Sequence, residues 1–119
     1  MNWPSRNNDM HRTIIMKDGY PASFPSEWDD IPGVDVVDTT YSNDSCPSIT
    51  FMHNGNGFCQ VHIGVDLQSA REFPDVHRFY ISVLQEDGDI TGEEFFTDCE
   101  DTVITIARKL WEIRQALNT

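Results

Sequence analysis

The chain has 119 residues, 39% of them hydrophobic and 11% aromatic, which suits one folded domain with a single core and excludes disorder throughout. Twenty acids against eight Lys and Arg give a formal net charge of −12, so direct binding of DNA, RNA or anionic membrane through the main surface is disfavoured. The three cysteines (Cys46, Cys59, Cys99) are an odd number in a chain able to build a core without staples; free thiols in a cytoplasmic setting are expected.

The polar start, "MNWPSRNNDMHR", lacks the basic-then-apolar layout of a secretion signal, and no apolar run reaches the length of a membrane span. Residues 1–33 read as an irregular N-terminal arm, punctuated by Pro4, Pro21, Pro25 and Pro32. Within it Arg12 to Gly19 suggests a short strand entering a Lys-Asp-Gly turn. Ser26 to Ile31 suggests one helical turn with Ser26 as its cap. Trp3, Tyr20, Phe24 and Trp28 give the arm apolar mass, so it is expected to wrap the core.

Residues 34–96 read as an antiparallel sheet. Val34 to Tyr41 is a β-branched run, and "SITFMHNGNGFCQVHI", Ser48 to Ile63, forms a hairpin around Asn54-Gly55-Asn56-Gly57. Loop parity decides its register. A loop of two or four residues would put Ile49 and Phe51 on the face of Gln60 and His62. A loop of three or five pairs Phe51 with Cys59 and Ile49 with Val61, which keeps one face apolar and is therefore expected. Cys59 then points inward, His62 outward, and Met52 and Phe58 lie near the turn on the second face, extended by Tyr80 and Leu84. His77 to Gln85 and Ile90 to Phe96 supply two more strands around a tight turn at Glu86–Asp89.

Residues 97–118 read as a helix. Thr97-Asp98-Cys99-Glu100 fits a capping box, and Val103, Ile106, Leu110, Ile113 and Leu117 form an apolar stripe beside Ile104, Ala107 and Trp111. The expected fold is α+β: four to six antiparallel strands with a long C-terminal helix on one face.

No site chemistry stands out. Cys59-x-x-His62 has zinc-ligand types, with His53 or Cys46 as further ligands, but strand alternation sends residues three apart to opposite faces. Asp87 to Asp98 has calcium-loop acids with Gly92 at the sixth place, yet Glu94 stands where an apolar residue belongs and the flanks read as strand. There is no nucleophile elbow and no phosphate loop. No metal, no cofactor and no catalytic residue is expected.

The charge map is uneven. Between Gln85 and Asp101 lie eight acids (Glu86, Asp87, Asp89, Glu93, Glu94, Asp98, Glu100, Asp101) and no base; a second cluster includes Asp29 and Asp30. A hairpin turn, a strand and a helix start should gather the first cluster at one end of the fold. Such a field accelerates and selects association with a basic partner. In size and charge the chain resembles small acidic counter-defence inhibitors, among them phage anti-CRISPR proteins and other nucleic-acid mimics, and immunity proteins against toxic nucleases. The expectation is a non-enzymatic inhibitor that sets Glu86, Asp87, Asp89, Glu93 and Glu94, with Asp29 and Asp30, against a basic nucleic-acid-binding complex or nuclease. Two other readings stay open: an accessory subunit binding through Met52, Phe58 and Tyr80, and a small metal-dependent enzyme using His53, His62 or His77.

Overall fold

The computed structural model describes residues 11–15, 21–40, 47–67, 77–85 and 89–117. The expected α+β architecture is present. Five strands, β3 (Asp35–Asp38), β4 (Ser48–His53), β5 (Asn56–Ile63), β6 (Phe79–Leu84) and β7 (Ile90–Thr97), form an antiparallel meander in chain order. Helix α1 (Glu100–Leu117) lies against β5, β6 and β7. Each strand neighbours the next in sequence, so short connections suffice and only the helix has to fold back.

The N-terminal segment is more regular than its prolines suggest. Strands β1 (His11–Ile15) and β2 (Pro21–Pro25) pair as a separate antiparallel ribbon. Pro21 and Pro25 stand at the two ends of β2, where a missing ladder N–H is tolerated. A 3-10 turn (Ser26–Asp30) follows directly, with no side-chain cap hydrogen bond, so Ser26 begins the turn and does not cap it. The Lys-Asp-Gly turn expected near Gly19 lies outside the described residues.

The ribbon and turn deliver Phe24 and Trp28 into the core on the helix side of the sheet. Trp28 is 1% exposed and meets Phe24, Phe51 and Phe79 at ring separations of 5.4, 6.2 and 5.6 Å. A polar clamp holds the same junction from outside. The Arg78 guanidinium donates to the Ser23 carbonyl, lies 3.4 Å from Asp66 and 3.5 Å from Glu100, and so joins the ribbon, the segment after β5 and the helix start. Asp66 in turn accepts from the Ser23 amide and hydroxyl.

The β4–β5 hairpin has the expected pairs, Phe51 with Cys59 and Ile49 with Val61, through a different device. The turn is two residues, Asn54-Gly55, both at positive φ, with His53 opposite Asn56 and Met52 opposite Gly57. The parity is restored by a bulge between Phe51 and Met52, in which Phe58 has no partner of its own. Gly57 is required there: a Cβ would come within 2.8 Å of Thr50 Cγ2 and 3.1 Å of Leu84 Cδ1.

Helix α1 starts at Glu100. The Thr97 hydroxyl accepts from the Cys99 amide at 3.0 Å, one residue earlier than the expected capping box, while the Glu100 carboxylate reaches Arg78. The apolar stripe is buried only over its first half. Val103 and Ala107 are fully covered and Ile104, Ile106, Leu110 and Trp111 partly, whereas Ile113 and Leu117 are 55% and 75% exposed. The C-terminal half of α1 is thus largely exposed.

Because Trp28 contacts both the ribbon and two sheet strands, Trp28→Ala is expected to cost about 3–5 kcal/mol. A chemical-denaturation midpoint with unchanged slope would measure it, and a loss under about 1 kcal/mol would contradict this packing.

Candidate binding face

The two faces of the sheet have different fates. Toward the helix stand Val36, Ile49, Phe51, Cys59, Val61, Ile63, Phe79 and Ile81, all buried. Toward the other side the ladders align Thr50 with Gln60 and Ser82, and Ser48 with His62 and Tyr80. Strand β7 continues these rows with Glu94 opposite Ser82 and Phe96 opposite Tyr80. Ser48, Thr50 and Ser82 are buried on this second face, whose outer strand β7 is exposed. The Thr39 hydroxyl bridges Ser48 and Thr50 at 2.9 and 3.0 Å.

Across the open face runs a row of rings. His62 meets Tyr80 edge-on at 5.8 Å, and Tyr80 meets Phe96 edge-on at 4.8 Å. Such T-shaped pairs place a ring edge on a neighbour's electron-rich face. Phe96, at the outer end, remains 53% exposed. His62 and Phe96 in this row were not singled out together by sequence; the i, i+2 alternation of β5, β6 and β7 carries them once the register is known.

The expected make-up of this face changes at Phe58. Phe58 does not share it with Met52. The bulge turns Phe58 onto the helix side, 2% exposed and stacked on Trp111 at 5.4 Å. Met52 is half-buried opposite Gly57, and Tyr80 is half-buried within the ring row. The N-terminal ribbon does not cover the patch through Phe24 and Trp28, because both rings are spent inside the core.

The acids do not gather at one end. Asp89, Glu93, Glu94 and Asp98 follow the length of β7, roughly 30 Å at strand rise, and Glu100 and Asp101 open the helix beyond it. Glu86 and Asp87 lie outside the described residues; on either side of them the Gln85 amide donates to the Asp89 carbonyl. Asp29 and Asp30 sit apart from this row, in the 3-10 turn whose Trp28 packs under the sheet and which also contacts β3. Strand β7 is exposed from Ile90 to Phe96 and, among the described residues, neither Glu93 nor Glu94 has an ion-pair partner.

The histidines are dispersed. His53 leans on Trp111 at 4.6 Å on the helix side, its Nδ1 2.6 Å from the Gly33 carbonyl, whereas His62 faces the open side. His77 pairs with Asp98 at 3.0 Å, and that pair is exposed. Among the described residues no three His, Cys, Asp or Glu side chains are placed to hold a metal ion. The calcium-like segment is strand from Ile90 to Thr97, with Gly92 at φ 97° in a bulge of the β6–β7 ladder.

No protein family, curated protein or solved structure matches the chain. Among the described residues no helix is long and apolar enough to cross a membrane.

The two described thiols differ sharply. Burial pushes Cys59 from 9.0 up to about 12. Cys99 is exposed, and hydrogen bonds from the Thr102 hydroxyl, the Thr102 amide and the Asp101 amide lower its pKa. At pH 8 iodoacetamide is expected to modify Cys99 in the folded protein and Cys59 only after unfolding, as peptide mass mapping would show. Between about 9 and about 12 the unfolded chain releases the Cys59 proton that the folded chain keeps, so this thiol's contribution to stability falls as pH rises through that window.

Proposed function

We propose that this chain is a non-enzymatic binding protein that sets the β7 edge against the basic surface of a nucleic-acid-handling protein and blocks it. The observation that carries the reading is the composition of that edge. Glu93 and Glu94, without ion-pair partners among the described residues, precede Phe95 and Phe96, which are 41% and 53% exposed. Acids on an edge strand also deter unwanted pairing, and that alone would account for the glutamates. It does not account for two adjacent exposed phenylalanines, whose contact with water is unfavourable unless a partner covers them.

Together these residues have the make-up of a protein interface: aromatic anchors for the desolvated centre and charges that steer and select. Carboxylates along an edge of roughly 30 Å can meet Lys and Arg side chains that otherwise meet phosphates. Asp89 extends the line at one end, and Glu86 and Asp87 adjoin it in sequence. Asp29 and Asp30, in the 3-10 turn, would serve a second contact. An inhibitor of a nucleic-acid-binding complex and an immunity protein for a nuclease both use this chemistry.

The open ring row favours a second reading, an accessory subunit that binds through Met52, Tyr80 and Phe96. The two separate by substitution. The E93K/E94K chain is expected to keep wild-type stability within about 0.5 kcal/mol, both sites being exposed. Immobilised in a lysate of the native host, the wild type should retain a Lys/Arg-rich nucleic-acid-handling protein, and E93K/E94K should lose at least about tenfold of it. Retention that is indifferent to E93K/E94K and to salt, but lost in Tyr80→Ala, would replace the first reading by the second.

A further inference from the structure

We infer that β7 binds its partner by strand addition, taking up an extended segment in which two adjacent apolar residues are followed by two adjacent basic ones. This rests on the reading of the acidic edge as a binding surface and specifies how that surface is used. Among the described residues β7 is the terminal strand of the sheet, and it is exposed from Ile90 to Phe96. A terminal strand presents a row of backbone donors and acceptors that only another strand satisfies in register.

The pairs Tyr80–Phe96, Ile81–Phe95 and Ser82–Glu94 fix which side each residue takes. Glu94 and Phe96 stand on the face of Ser82 and Tyr80, and Phe95 on the helix face with Ile81. Along the edge two adjacent phenyl rings are thus preceded by two adjacent carboxylates, Glu93 and Glu94. An added strand meets them through lateral cross-strand pairs, apolar beside apolar and base beside acid. Running antiparallel, it passes Phe96, Phe95, Glu94 and Glu93 in that order. Its complement reads apolar, apolar, basic, basic. An ordinary amphipathic strand, with apolar and basic residues alternating, puts both bases on one face and mismatches half the edge.

The same features disfavour a second copy of the chain. Pairing β7 with itself would bring Glu93 and Glu94 of both copies, four carboxylates, into one short ladder. The irregularity around Gly92 also confines regular pairing with β6 to Glu94–Thr97 and the isolated pair at Ile90, and the Glu93 amide donates to Thr91 Oγ1 at 3.1 Å. A short, charged, selective edge results, suited to a basic segment and poorly suited to runaway sheet extension.

Two capped hexapeptides of identical composition test this. One has the core Ile-Ile-Lys-Lys and the other Ile-Lys-Ile-Lys, each flanked by threonine. Titrated at low salt into the full chain, with backbone amide chemical shifts as the readout, the block peptide is expected to bind about tenfold more tightly than the alternating one. Its shifts should concentrate at Glu93–Thr97. N-methylation of its alternate backbone amides, or E93K/E94K in the protein, should remove that advantage. Equal binding of the two peptides would overturn strand addition while leaving the acidic edge as a binding surface. Binding of neither would overturn both. A β7-mediated dimer of the wild-type chain in sedimentation would overturn the selectivity for a basic strand.

Discussion

The bulge at Phe58 is the constraint on which the rest of the sheet depends. A two-residue Asn54-Gly55 turn, in a regular hairpin, would give a pairing parity that sends Ile49 and Phe51 to the face of Gln60 and His62. One extra residue in β5 cancels that slip, so the short turn and the apolar face coexist. The extra residue is itself used. Phe58 becomes a second consecutive buried side chain beside Cys59 and meets Trp111, anchoring the helix on the hairpin. Every later pairing, from Cys59 with Val83 to Tyr80 with Phe96, inherits the register set there.

This explains what could be read from the residues alone and what could not. The apolar alternation of Ile49, Phe51, Cys59, Val61 and Ile63 dictates which side each takes, whatever geometry closes the loop. Period and parity are local signals. A bulge is not, because it depends on Thr50 and Leu84 leaving room only for a glycine at 57. The exposure of Ile113 and Leu117 was hidden for a similar reason: helical spacing marks an apolar stripe but not how much of it the tertiary packing covers. The β1–β2 ribbon was masked by its prolines, whose position at the two ends of β2 is visible only once the pairing is known.

The charge distribution followed the same pattern. Counting acids along the chain identified the clusters, but their placement is a property of strand order. Asp29 and Asp30 belong to the 3-10 turn packed under the sheet, and Glu93 and Glu94 to its last strand. The bases of α1 that stand outward, Arg108 and Lys109, are exposed, while Arg78 and Arg114 are tied to backbone carbonyls at Ser23 and Leu84. Arg78 and Arg114 thus help to complete the fold, while Glu93 and Glu94 are left for the surface.

The Arg78 clamp gives the molecule a seam. The β1–β2 ribbon shares no ladder with the five-stranded sheet and is joined to it by Phe24, Trp28 and the bonds around Arg78 and Asp66. Cooperative units open where few links cross, so the ribbon and the 3-10 turn have the makings of a foldon distinct from the meander and helix. Its release would uncover Phe51 and Phe79 while the sheet's own hydrogen bonds stayed closed. The amides of β1 and β2 would then exchange with solvent through a subglobal opening, at a lower free energy than those of β5 and β6.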